Sequence, residues 1–183
     1  MVLRYCAVVV AAAILATAVA LSISVVQPEN AQAATATVRT CNGRPFTLKL
    51  REKRIFLLHN HVRKKHGLKP LCVNTHLTRS ARFHSREMIN KDYFSHRSYN
   101  GEGVGARLRR FGYDWSVYGE NIAGGYGSPS APGPIFKRWM NSAQHRANIL
   151  NRRFRQIGVG TATGNYKGHT GYTMYTVDFG RPG

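Results

Sequence analysis

Acidic residues are scarce in this chain. Its 183 residues include 27 Lys and Arg but only 8 Asp and Glu, which gives a formal net charge of +19 at pH 7. An electrostatic field of this size favours polyanions of any kind. The basic residues are scattered along the chain, and no recognisable nucleic-acid-binding signature accompanies them. We therefore do not expect specific nucleic-acid binding.

Long hydrophobic runs are also absent, except for one at the N-terminus. Residues 5–26 are almost free of polar side chains, and Ala31 and Ala33 then give the small-x-small pattern that a signal peptidase accepts. We interpret residues 1–33 as a secretory signal that is cut after Ala33. The apolar run could also span a bilayer, which takes about 20 residues, so an uncleaved N-terminal membrane anchor is the alternative.

Both interpretations place the remaining residues outside the cytoplasm, either secreted or at the cell envelope. Acidic cell-wall polymers and anionic lipid are polyanions of that location, and they are the partners we expect for a basic chain. Nothing in the sequence demands an oligomer, so we expect a monomer.

Cysteine is the third scarcity, with 3 residues in the chain. Removal of the signal takes Cys6 away and leaves Cys41 and Cys72. An even number of cysteines in an exported chain indicates a disulfide between these two, with two free buried thiols as the alternative. A zinc site built on them is not expected, because neither cysteine has a second one at metal-ligand spacing.

The chain has no internal repeats, and helical patterns precede stranded ones. Residues 34–47 are predicted to be an N-terminal leader tethered by Cys41, and residues 48–183 to form one domain. Within the domain we predict helices over 48–67, 76–91 and 104–111, a further helix that begins at Pro134, a strand near 115–118, and two strands over 157–163 and 172–180. This order indicates an α+β sandwich.

Histidines invite a metal interpretation, but those of the first predicted helix do not support it. His59 and His61 are two residues apart, so they point to different sides of a helix and cannot chelate one ion. We predict that both are surface or boundary residues.

Three polar segments elsewhere contain better candidates for metal ligands or catalytic groups. His96 lies in FSHRS, Glu120 in GEN, and His145 in WMNSAQHRANIL. Two imidazoles and a carboxylate can form a site for zinc or another divalent cation, or a general acid/base set. The three residues are far apart in the chain, so spacing alone also allows ordinary loop and cap residues.

Several segments taken in order carry a more specific signal. They are LLHNHVRKKHGLKPL, FSHRS, GENIAGG, WMNSAQHRANIL, FRQIGVG and the terminal VDFG. Together they closely resemble the bacterial branch of the CAP superfamily, whose SCP domain is shared with cysteine-rich secretory proteins, venom antigens and plant pathogenesis-related proteins. The resemblance covers about residues 54–180. It implies an α-β-α sandwich with an antiparallel sheet between two helical layers.

The resemblance also implies a ligand cleft. The family's cleft holds two histidines and two acidic residues, and some members bind zinc or another divalent ion there. By motif, His96, Glu120 and His145 match three of these positions, and Ser142 occupies the fourth, where many eukaryotic members have glutamate. This departure limits the metal ligands to two imidazoles, Glu120 and water, and it weakens any mechanism that needs two carboxylates.

Ser142 has two further interpretations. It can be the N-cap of the turn AQHRANIL, with its hydroxyl occupied by a backbone N–H. It can also be a nucleophile with His145 as base and Glu120 as orienting group. No G-x-S-x-G turn surrounds it, so we favour the cap.

The function we expect is that of a secreted binding module. Its His/Glu cleft would be able to hold a divalent metal, and it would adhere to envelope polymers or capture a small amphipathic ligand. The alternative is a hydrolase that uses metal-activated water or His/Glu acid–base catalysis, with His96, Glu120 and His145 as the candidate catalytic residues. A third possibility is a charge-driven binder of polyanions or nucleic acid. The sequence does not name the ligand or substrate.

Overall fold

The structure, a computed structural model, describes residues 34–183. The predicted signal or anchor and its cleavage position after Ala33 lie outside the described residues. Among residues 34–183, no helix is long and apolar enough to cross a membrane.

Five α-helices and six strands are present in the described residues, together with one short 3₁₀ helix, Ser128–Ser130. In chain order they are β1 Thr35–Arg39, β2 Pro45–Lys49, α1 Leu50–Lys65, β3 Cys72–Val73, α2 Thr75–Asn90, α3 Val104–Arg110, β4 Trp115–Gly125, α4 Pro132–Asn141, α5 Ala143–Ile149, β5 Gln156–Tyr166 and β6 His169–Pro182. The predicted helices are therefore present with small shifts at their ends. α2 begins after Asn74, whose side chain accepts hydrogen bonds from the backbone N–H groups of His76 and Leu77 and so caps the helix.

The central sheet has the strand order β3-β5-β6-β4. β4 and β5 both pair with β6 in antiparallel orientation, while the two-residue β3 adds a short parallel edge to β5. β1 and β2 form a separate hairpin that reaches the sheet through a bridge between Thr40 and Val73. β4 is therefore an edge strand, and it carries part of the site described below.

Helices cover both faces of this sheet. On one face, Ile55 of α1 and Trp139 of α4 share a buried core with Val159, Val177 and Phe179 of the sheet. On the opposite face, α2 lies unusually close to β5. A Cβ atom added at Gly158 or Gly160 would come within 2.1–2.2 Å of the backbone of α2. The predicted α-β-α sandwich is confirmed.

A disulfide joins Cys41 to Cys72, as predicted. Their Cα atoms are 5.0 Å apart and the bond spans 31 residues. A loop of this length contributes roughly 3–4 kcal/mol to stability in the chain-entropy description. The segment 34–47 contains all of β1 and the start of β2, and the disulfide holds this hairpin against β3.

The prediction for His59 is wrong, because this side chain is completely buried. Its Nδ1 donates to the carbonyl of Ile55 at 2.8 Å, and its ring packs against Phe136, Trp139 and Phe179. The fully buried stripe of α1 consists of Glu52, Ile55, His59 and Arg63. Since three of these four are polar, a search for apolar residues does not find this stripe.

β4 also differs from its prediction. It continues to Gly125, well beyond the predicted strand near 115–118, so Asn121, Gly124 and Gly125 also lie in the strand. The strand persists because β4 pairs with β6 along this whole stretch. The missing side chain of Gly124 leaves space for the Tyr172 ring, which a Cβ would approach to 2.5 Å.

Candidate functional site

Glu120 is a buried carboxylate on β4 with both oxygens engaged. Oε1 accepts a hydrogen bond from His96 Nδ1 at 2.7 Å, and Oε2 pairs with the guanidinium of Arg107 from α3. Burial by itself would raise the pKa of Glu120. The His96 hydrogen bond and the Arg107 charge outweigh burial and lower that pKa below its usual value. Glu120 is therefore ionised at neutral pH and acts as a fixed internal anion.

His96 lies on the loop after α2 and is half exposed, with 50 % of its side chain accessible. Arg107 fixes this loop, since Nη1 donates to the carbonyl of His96 and to Ser98 Oγ, both at 3.1 Å. Because a carboxylate only accepts, Nδ1 of His96 carries the proton of the bond to Glu120. In the neutral ring, Nε2 is then an acceptor available to a ligand.

His145 belongs to α5, which asparagines fasten to β4. Asn148 Nδ2 donates to the carbonyl of Glu120 at 3.1 Å, and Asn121 Nδ2 donates to the carbonyl of His145 at 3.1 Å. Burial and then the nearby charge of His96 lower the pKa of His145. His145 is consequently neutral at physiological pH.

Ser142 occupies the N-cap position of α5, as expected, but its hydroxyl makes no capping hydrogen bond. The predicted occupation of that hydroxyl by a backbone N–H is therefore wrong. Ser142 lines the cleft together with His145. Glu120 hydrogen-bonds to His96 and does not orient His145, so the arrangement lacks the Ser142–His145–Glu120 relay.

His96, His145 and Ser142 line one cleft of about 850 Å³. Glu120 sits behind its wall, and no acidic side chain of residues 34–183 lines it. The other lining residues are apolar, aromatic, small or cationic: Phe94, Ser95, Arg97, Ile122, Ala123, Gly124, Arg138, Trp139, Tyr166 and Tyr172. The cleft thus combines an apolar surface with positive charge, which suits a ligand that is partly apolar and anionic.

The donor set fits a weakly held divalent metal better than a structural one. No group of three or more His, Cys, Asp or Glu side chains in the described part of the chain is arranged to hold a metal ion. Structural zinc takes four protein ligands. The cleft offers only two candidate protein ligands, the imidazoles of His96 and His145. Glu120 would not bind the metal but would orient His96, as carboxylates commonly do for metal-bound histidines.

Two residues of this region were not identified from the sequence. Arg107 is one of three arginines in the seven residues of α3, and nothing in their order marks it as the buried one. Asp178 is completely buried on β6, directly opposite Glu120. The only sequence signal for Asp178 was a carboxylate within a strand that is buried on both faces. Such a carboxylate must either contact a partner or bind a proton.

Comparisons with known proteins identify the family of this chain. The family model described as "Cysteine-rich secretory protein family" matches residues 56–179. The uncharacterized protein YkwD of Bacillus subtilis is 40% identical over 121 residues, which cover 66% of this chain and 46% of that protein. This chain therefore spans about half the length of that relative.

Solved structures give the same result. An extracellular protein with an SCP domain from Bacillus anthracis is 29% identical, with a TM-score of 0.62 over 76% of this chain and 47% of that one. An outer surface protein of Borrelia burgdorferi has the same fold at 17% identity, with a TM-score of 0.64 over 81% of this chain and 99% of that one. The chain belongs to the cysteine-rich secretory protein (CAP) family.

Proposed function

We propose that this protein is an extracytoplasmic binding module whose cleft captures a small amphipathic anion. The observation that carries the proposal is the composition of the cleft: Arg97 and Arg138 line it together with apolar and aromatic side chains. Glu120, the nearest carboxylate, is withdrawn behind the wall and neutralised by Arg107. An anionic group entering the cleft therefore meets attraction without a compensating repulsion.

The location outside the cytoplasm is part of the same proposal. It is supported by the N-terminal apolar segment of the sequence, by the disulfide, and by the similarity to an extracellular protein and to an outer surface protein.

Isothermal titration calorimetry with two probes that share one tail tests the ligand class. We expect decanoate to bind and decyltrimethylammonium, which carries the opposite charge, to bind at least tenfold more weakly. Arg97→Gln/Arg138→Gln should weaken decanoate about tenfold, which corresponds to about 1.4 kcal/mol. Arg86→Gln/Lys137→Gln removes equal charge from two exposed positions outside the cleft and is the matched control. Equal binding of both probes, or equal loss in both variants, would rule out the proposal.

Divalent-metal binding by His96 and His145 is a further part of the proposal. The neutral state of His145 and the free Nε2 of His96 support it. A bound ion would supply a Lewis-acidic contact for the anionic group of the ligand. Zinc stoichiometry after dialysis, compared between the parent and His96→Ala, tests this part, and the absence of zinc uptake in the parent would end it.

Hydrolysis is the second candidate function, and one observation favours it. The His96–Glu120 pair resembles an imidazole base oriented by a carboxylate, with Nε2 accessible from the cleft. In such an enzyme His96 would take a proton from water at Nε2 while Glu120 stabilises the resulting imidazolium. Turnover of ester or amide substrates that disappears in His96→Ala would favour this candidate, while ligand binding that survives without turnover would favour the module.

A further inference from the structure

Two basic runs that are distant in sequence meet at the C-terminal end of α1. One is KKHGLK, residues 64–69, and the other is RRFR, residues 152–155. Together they form a small pocket of about 210 Å³ lined by Gly67, Leu68, Lys69, Arg152 and Arg155. This pocket shares no lining residue with the His96 cleft.

Arg63 connects the two runs through hydrogen bonds to their backbone. Its side chain is completely buried. Nε donates to the carbonyl of Lys69 at 3.0 Å, and Nη1 donates to the carbonyls of Ile149 and Asn151, both at 2.9 Å. Nη2 has no hydrogen-bond partner. A buried guanidinium with one unpartnered nitrogen therefore connects the two segments that line the cationic pocket.

The positive charge of Arg63 has no counter-ion within residues 34–183. The ion pairs of residues 34–183 involve Glu52, Glu87, Glu102 and Glu120, and none of them includes a residue of 63–69 or 151–155. Burial, and then the like charge of Arg155, lower the pKa of Arg63. A buried positive charge surrounded by further cations is unfavourable unless an anion offsets it. Residues 34–183 do not supply that anion.

We propose that this pocket binds a phosphate group of a phosphodiester polymer outside the cell. Two guanidiniums and an ammonium match the several acceptor oxygens of a phosphate, and arginine forks are suited to phosphate geometry. The pocket is smaller than the 300–1,000 Å³ that is typical of small-molecule sites, so it accommodates one ionic group of a chain. Exposed Lys64, Lys65 and Arg153 flank it and extend the positive surface along such a chain.

Calorimetric titration at constant ionic strength tests the proposal, with inorganic phosphate, poly(glycerol phosphate) and polyglutamate as probes. We expect poly(glycerol phosphate) to bind the parent protein at least tenfold more tightly than polyglutamate of equal charge, and inorganic phosphate to compete with it. Lys69→Gln/Arg152→Gln/Arg155→Gln should weaken polymer binding at least tenfold. Arg86→Gln/Lys137→Gln/Arg181→Gln removes the same charge from exposed positions outside the pocket and should change it less than threefold.

Several results would overturn the proposal. Equal losses in both triple variants would mean that diffuse charge alone binds the polymer. Equal affinity for polyglutamate would remove the phosphate preference. If the protein binds inorganic phosphate or anionic phospholipid vesicles but does not bind poly(glycerol phosphate), a polymer is excluded as the occupant.

Arg155 donates hydrogen bonds to nearby backbone carbonyls, so its replacement could disturb the fold. A second variant therefore leaves Arg155 unchanged. The side chains of Lys69 and Arg152 make no hydrogen bond within the described residues, so Lys69→Gln/Arg152→Gln is expected to fold if the triple variant does not. We expect this double variant to weaken polymer binding about fivefold, and unchanged binding would count against the pocket.

Discussion

Glu120 of β4 and Asp178 of β6 are direct cross-strand partners, and both are buried. Residues opposite each other in a sheet project to the same face, where like charges destabilise. Glu120 is hydrogen-bonded to His96 and paired with Arg107, whereas neither oxygen of Asp178 has a hydrogen-bond partner. The two carboxyl groups resolve the conflict by opposite shifts: the pKa of Glu120 is lowered, and burial together with the Glu120 charge raises the pKa of Asp178 well above its usual value. Glu120 carries the charge, and Asp178 holds its proton to a higher pH than an ordinary aspartate does.

Replacing Asp178 with asparagine should stabilise the protein at neutral pH. A carboxyl group whose pKa is raised by folding favours the folded state below its unfolded pKa, roughly 4, and that advantage is lost as pH rises toward the folded pKa. The loss amounts to about 1.4 kcal/mol per pH unit in that interval. Groups facing Asp178 are Glu120 from β4, Arg107 from α3 and Ser80 from α2.

Urea unfolding between pH 3 and pH 8 measures this effect. The free energy of unfolding of Asp178→Asn minus that of the parent should increase with pH above about 4. Asp114→Asn, at an exposed carboxylate, is the control and should show no such trend. If the difference between Asp178→Asn and the parent does not increase with pH, folding does not raise the pKa of Asp178.

Glu120→Gln should be strongly destabilising, because it leaves the buried guanidinium of Arg107 without its anion. Breaking a buried ion pair from one side costs about 3–5 kcal/mol. Glu102→Gln breaks the pair with Arg110, whose side chain is 42 % exposed, and should cost less than about 1 kcal/mol. Denaturant unfolding of both variants provides the comparison, and similar losses would show that the Arg107 pair contributes no more than a surface contact.

Gly160→Ala tests the close approach of α2 to the sheet. Its Cβ would lie 2.2 Å from the backbone of Ala81 and Arg82, so either the helix or the strand must move. Overpacking of this kind costs about 1–3 kcal/mol or more. Gly133→Ala in α4 meets no atom within 4 Å apart from its chain neighbours, and because the residue before a proline is restricted we expect no gain from helix propensity and a change of less than about 1 kcal/mol. Thermal melting should therefore fall clearly for Gly160→Ala and change little for Gly133→Ala, and a neutral Gly160→Ala would contradict the close packing.

Much of the candidate site could be predicted because its signals are local. The segments around His96, Glu120 and His145 each have a distinctive composition, and their order along the chain indicated a shared cleft. The partners of Glu120 could not be predicted in the same way. Whether an arginine such as Arg107 is buried depends on how α3 packs against β4, and this is a tertiary property that does not appear in helical periodicity.

The same limit explains the histidine on α1. His59 was predicted to be a surface or boundary residue, but the fully buried stripe of α1 includes His59 and Arg63 beside the apolar Ile55. Backbone carbonyls receive the Nδ1 proton of His59 and the Nε and Nη1 protons of Arg63, and these hydrogen bonds offset part of the cost of burial. The carbonyls that Arg63 contacts become available only when α5 and the loops are assembled, and His59 is covered by aromatic side chains of other elements, so hydrophobicity alone assigns both residues to the surface.

His59 should make the protein sensitive to mild acid. Burial, only partly opposed by the Ile55 hydrogen bond, and the charge of Arg63 lower its pKa from 6.5 to about 4. A histidine whose pKa is lowered by folding binds its proton more readily in the unfolded state, so stability falls as pH drops from 6.5 toward 4. The shift corresponds to about 3 kcal/mol over that range.

His59→Phe keeps an aromatic ring among Phe136, Trp139 and Phe179 without a titrating group and should lose most of this pH dependence, even if overpacking lowers its absolute stability. His61→Phe, at an exposed position on the same helix, should follow the parent curve in denaturant titrations at each pH. A His59→Phe curve parallel to the parent would show that other groups, such as His84 or His145, cause the acid response.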